Sequence, residues 1–196
     1  MAQGVEIAKT SGYYPNPIVC SSENNCRIPH QHISNETDEP FMFLGKVVND
    51  GHPRHSDYDD ALRKFRRTQA CLISSERMAQ TPNLLKIDWA NLRGRHDLEV
   101  CLFRIFRSLG NLEAIRAWLE FHAFEVRGPT RVVGENYRPR NECEPLYSFG
   151  GSWDSDEAMR HRPSLLWRLT GLTLIHGTSV NIGLSESGEL VDVRVS

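Results

Sequence analysis

A chain of 196 residues is long enough to bury its own core without a metal or a disulfide. Its net charge of −2, from 23 basic and 25 acidic side chains, lacks the basic surplus of a dedicated nucleic-acid binder. No apolar run approaches the ~20 residues that span a bilayer; the best are Phe41–Leu44 and Val100–Phe103.

Residues 1–40 are broken by Pro15, Pro17, Pro29 and Pro40 and hold neither the helical nor the strand period. They read as an irregular N-terminal arm on a single domain spanning 41–196. Met1–Thr10 has neither the basic start nor the apolar stretch of a signal peptide. The expected compartment is therefore the cytoplasm if the chain is complete, and the periplasm or exterior if a leader was removed.

Phe41–Val48 is a short apolar segment, expected as a strand, and Asn49-Asp-Gly51 with Pro53 closes it with a turn. A first helix is predicted from Asp57 to Ala79, with Ser56 as N-cap, Asp59 in the capping-box position and Leu62, Phe65, Leu72 and Ile73 on its apolar face. A second helix is predicted from Asp97 to Leu109, on the three- and four-residue spacing of Leu98, Cys101, Leu102, Ile105 and Leu109. Gly110 reads as its left-handed terminator and Asn111 as the N-cap of a third helix, Leu112 to Phe121. Leu102, Ile105, Ile115 and Trp118 should pack together.

Beyond Phe124 the helical period is lost. Phe124–Val126 and Thr130–Val133 are expected to pair around Gly128-Pro129. The alternation of Leu174, His176, Thr178, Val180, Ile182 and Leu184, the turn Ser185–Gly188 and the return Leu190–Val195 predict an antiparallel hairpin. Helices followed by an antiparallel sheet make the fold class α+β.

Five cysteines leave at least one unpaired. Cys71 and Cys101, among apolar residues on predicted helices, read as buried free thiols. Cys20, Cys26, His30 and His32 fall within 13 residues and form the one candidate metal set, for Zn²⁺. The cysteine spacing is wider than structural zinc sites use, so a local Cys20–Cys26 disulfide competes with it. His52 and His55, beside Asp57, Asp59 and Asp60, suit a metal or a general base, but acids there also cap a helix. Arg63-Lys-Phe-Arg-Arg67 suits contact with phosphates or an acidic partner, and the same charge run on one helix also reads as a solvated face.

Ser152 in Gly150-Gly-Ser-Trp153 has no G-x-S-x-G elbow around it. The chain carries no phosphate-binding loop, dinucleotide fingerprint or H-E-x-x-H motif. Without a complete catalytic set, the expected function is a non-catalytic protein-binding domain, of the inhibitor or immunity type that neutralises a partner enzyme. The alternative is a metal-binding protein or metal-dependent hydrolase using the Cys/His cluster. Tyr147, Trp153, Arg138 and Arg140 are the candidate partner contacts, since aromatic and Arg side chains anchor interfaces. Tyr147, Phe149 and Trp153 also share the odd register of one strand, which would turn them inward.

Overall fold

The structure is a computed structural model and describes residues 17–22, 25–28, 40–132, 144–161 and 177–196. In the N-terminal part, β1 (Val19–Cys20) pairs with β2 (Cys26–Arg27), setting Cys20 opposite Cys26. Asn83 pins this hairpin to the body. Its amide donates to the Cys26 carbonyl at 2.7 Å and its Oδ1 accepts from Ile28 N at 3.4 Å. Ile28 inserts into the core. The Phe41–Val48 segment is a tight hairpin, β3 (Met42–Phe43) and β4 (Lys46–Val47), turning at Leu44-Gly45.

The single helix predicted over 57–79 divides. α1 runs His55–Lys64, a 3₁₀ turn covers Thr68–Cys71, and α2 is the short Ser74–Arg77. Long-range partners override the local period here. Cys71 is bonded to Cys101 across 30 residues, and Thr68 Oγ1 lies 3.0 Å from Ser108 Oγ. Leu72 bridges Ile87, and Asp88 N donates to the Cys71 carbonyl. These contacts hold 68–73 against α3 and against Ile87-Asp88 in a form no α-helix can take. The two thiols read as free are therefore a disulfide. Ser56 lies inside α1 and caps nothing; Arg54 holds the cap position without a side-chain cap bond.

The next two helices form as their spacing predicts. α3 spans Arg95–Leu109 and α4 spans Leu112–Phe121. Gly110 ends α3 at φ 74°, where a side chain is disfavoured. Asn111 Oδ1 accepts from Ala114 N at 2.8 Å, capping α4. Leu102, Ile105, Ile115 and Trp118 are all buried.

The sheet is antiparallel in the order β5 (Glu125–Arg131), β6 (Tyr147–Trp153), β7 (Thr178–Leu184) and β8 (Leu190–Val195). The two pieces expected to pair around Gly128-Pro129 are one strand, β5, running through a cis Gly128–Pro129 bond with a register shift there. Its partner is β6, and the distant β6 backbone supplies the bonds that the local turn signal had suggested. α3 packs on β8 and α4 on β5, so helices cover one face. The fold is α+β with the sheet at the C-terminal end. A further helix, α5 (Ser155–His161), follows β6. Among the described residues no helix is long and apolar enough to cross a membrane.

Candidate functional site

Successive side chains of a strand point to opposite faces. On β6 and β7, Phe149, Trp153, Val180 and Ile182 face the helices and are buried. Ser148, Ser152, Ser179 and Asn181 occupy the alternate positions. With Gly150 and Arg127 they line a groove of about 380 Å³ on the opposite face. Gly150 is required by the close approach of β7, since a Cβ there would run into the Val180 carbonyl oxygen, and so no side chain fills the groove at this position. The lining offers hydroxyl and amide groups, which donate and accept hydrogen bonds alike.

The β5 flank of the groove carries both charge signs. Arg127 donates to Glu125 Oε1 at 2.9 Å, and the two side chains are 74 % and 71 % exposed. An ion pair this exposed contributes little stability. Exchanging it for a ligand's charges therefore costs little. β5 is also an edge of the sheet, with five of its seven residues exposed. The other edge is closed. Glu99 accepts from Val195 N, Gly45 N donates to the Val191 carbonyl, and Leu44 N donates to Asp192 Oδ1.

The predicted partner contacts separate. Trp153 is 3 % exposed, donates its indole N–H to the His122 carbonyl at 2.6 Å and stacks on Phe124 at 4.1 Å. It is a core residue and presents no ring to a partner, as the odd register along β6 implies. Tyr147, half-buried, sits at the start of β6 opposite Leu184 and Arg131. Arg138 and Arg140 lie outside the described residues.

The candidate metal set also changes. Cys20 and Cys26 are bonded at 2.05 Å, so neither sulfur is a thiolate ligand. His30 and His32 lie outside the described residues. Among the described residues, no three His, Cys, Asp or Glu side chains are grouped to hold a metal ion. The His52 and His55 group serves the start of α1. His52 Nδ1 accepts from Arg54 N at 3.1 Å, and Arg54 pairs with Asp57 at 2.8 Å. Within the basic run, Arg63 pairs with Asp59 and Asp60, and Lys64 with Asp97.

Two polar groupings escaped the sequence reading. Glu99, on α3, is fully buried and accepts from Tyr58 Oη at 2.8 Å, Arg95 Nε at 2.9 Å and Val195 N at 2.9 Å. Burial and the bond to Glu99 push the Tyr58 hydroxyl up. Burial also raises Asp192, whose Oδ2 is 2.9 Å from Arg194 Nε in an ion pair without hydrogen-bond alignment. The second grouping joins His122 at the end of α4 to His161 on α5, their rings 6.1 Å apart amid Trp89, Trp118 and Trp153. The only sequence signal for either was a polar residue interrupting an apolar face. Comparison with family models, with curated proteins and with solved structures finds no match to this chain.

Proposed function

We propose that this chain is a non-catalytic protein-binding domain whose partner docks on the outer face of β5, β6 and β7. The groove beside the exposed β5 edge carries the reading. Its hydroxyl and amide groups suit hydrogen bonding to a polypeptide, and the Glu125–Arg127 pair supplies both signs for orientation. Its described lining contains no imidazole or thiol, which suits recognition more than turnover. An inhibitor or immunity-type role is the form of this reading in which the partner is an enzyme. The Cys20–Cys26 and Cys71–Cys101 bonds favour an oxidising compartment for the encounter.

The test fills the groove. Cross-linked capture from an extract of the source cells should recover the same partner with the wild type and with Glu186→Trp, on the distant β7–β8 turn. Asn181→Trp and Ser148→Trp should lose it while remaining folded. Equal capture by all four proteins removes the groove as the docking surface.

A further inference from the structure

Cross-strand register sets two arginines at the ends of one row on the outer face of the sheet. Arg127 on β5 lies opposite Gly150 on β6, Gly150 opposite Asn181 on β7, and Asn181 opposite Arg194 on β8. Residues paired in this way share a face, so Arg194 stands across the groove from Arg127. Strands lie about 4.8 Å apart, which puts the two Cα atoms about 14 Å from each other. Between them the row is low. Gly150 has no side chain, and Asn181 is exposed and offers an amide. Ser148 and Ser152 flank Gly150 along β6 on the same face.

Both guanidinium groups reach solvent, Arg127 at 74 % and Arg194 at 49 % exposure. Each pairs with a carboxylate two residues away on its own strand. Glu125 takes one Nη of Arg127 and Asp192 takes Nε of Arg194, both at 2.9 Å. A guanidinium carries five N–H donors, so among the described residues each fork keeps donors for a second acceptor. The two acids are unequal. Glu125 is exposed, whereas Asp192 is fully buried, accepts from Leu44 N and is pushed up by that burial. Of the described charged side chains on this face, two exposed cations therefore stand against one exposed anion.

Building on the groove as the docking surface, we propose that its occupant is an extended acidic segment of the partner, laid across the strands, with one carboxylate on Arg127 and a second, four residues along, on Arg194. An extended chain advances about 3.3 Å per residue, so four residues cover about 13 Å and match the row. Side chains of such a segment alternate, so both acids point at the sheet. The residue midway points the same way and comes down beside Gly150, where there is room for it. Backbone groups of the segment meet the Asn181 amide and the serine hydroxyls, which donate and accept alike. Arginine suits the two ends because its planar fork fits a carboxylate.

The probes are two acetylated, amidated heptapeptides of Ser and Gly, isomers that carry two Asp either four or two residues apart. Backbone amide shifts of the full chain, followed by NMR, read both binding and its location. The four-apart peptide should shift Gly150, Ser152 and Asn181. It should bind about two- to fivefold more tightly than its isomer, whose carboxylates, about 7 Å apart, reach only one arginine. Arg127→Gln and Arg194→Gln should each weaken it about two- to fivefold, the effect of one exposed ion pair. The double variant should show the product of the two, because contacts this far apart act independently.

Equal binding of the isomers, binding indifferent to either arginine, or shifts confined to residues outside the groove overturns the proposal. So does inorganic phosphate shifting the same amides at equal concentration, which would make the row a site for phosphate groups. The comparison of isomers needs no variant and decides even if a substitution fails to fold. If neither peptide binds at about 10 mM, the acidic segment is overturned, while the groove still stands or falls on capture of the partner by Asn181→Trp.

Discussion

Glu99 turns one buried carboxylate into a junction of α1, α3 and β8, because its two oxygens accept from Tyr58, Arg95 and Val195. Replacing it by Ala strands the tyrosine hydroxyl and an edge-strand amide in the interior. The expected loss is about 3–5 kcal/mol by urea denaturation, of the size seen when one partner of a buried charge is removed. A loss below about 1 kcal/mol would mean that water reaches both donors. Burial lowers His161 and, more strongly, His122. Its folded pKa lies below its unfolded one, so the unfolded chain takes the proton first and stability falls as pH drops from 6.5 toward 3. About 2 kcal/mol should be gone by pH 5. Asp192 has the opposite sign, since its raised carboxyl takes a proton in the folded state first and adds stability as pH falls. The difference between wild type and His122→Phe, followed by thermal melts across pH 7.5 to 5, isolates the histidine. None of this was legible in the sequence, where Glu99 and His122 are single polar letters among apolar ones. The partners that give them meaning are, for Val195, 96 residues away.

The helical pair shows what local spacing does encode. Gly110 and Asn111 carry conformational preferences of their own, and the three- and four-residue repeat fixes which face is apolar whatever it packs on. Ile105→Ala should cost about 2–4 kcal/mol, because the side chain is fully buried and the helices on either side prevent collapse of the void. Asn111→Ala should cost about 1 kcal/mol through the lost bond to Ala114 N. Chemical denaturation of the two variants should preserve that order. The region after α1 failed by the same logic. Its apolar residues keep a helical rhythm, yet Cys71, Leu72 and Ile73 meet Cys101, Ile87 and Lys86, and pairing that distant leaves no local mark. β5 failed similarly, since Gly128-Pro129 signals a turn and only the β6 partner holds the segment extended. The groove shares this origin. Ser148, Ser152 and Asn181 are unremarkable letters until three strands set them side by side.

At the scale of the molecule, Cys71–Cys101 ties distant parts together, and Cys20–Cys26 closes a local hairpin. Chain-entropy arguments give about 3.5 kcal/mol for the 30-residue Cys71–Cys101 loop and about 2 kcal/mol for the six-residue Cys20–Cys26 loop. Non-reduced protein should weigh two hydrogens less per bond than reduced protein, and peptide mapping should assign both pairs. The Cys71→Ala/Cys101→Ala double variant should lose more thermal stability than Cys20→Ala/Cys26→Ala; the reverse order would show that the arm, not the core link, holds the molecule together. The sequence by itself determined the fold class, the helical pair with its caps and buried face, and the closing β-hairpin. Each depends on periodicity and turn chemistry that act between near neighbours. Only the tertiary structure decided the cysteine pairing, the break after α1, the inward turn of Trp153, the groove and the two buried polar groupings. Those depend on which distant residues meet, and burial in a low-dielectric interior is what gives a lone carboxylate or imidazole its consequence.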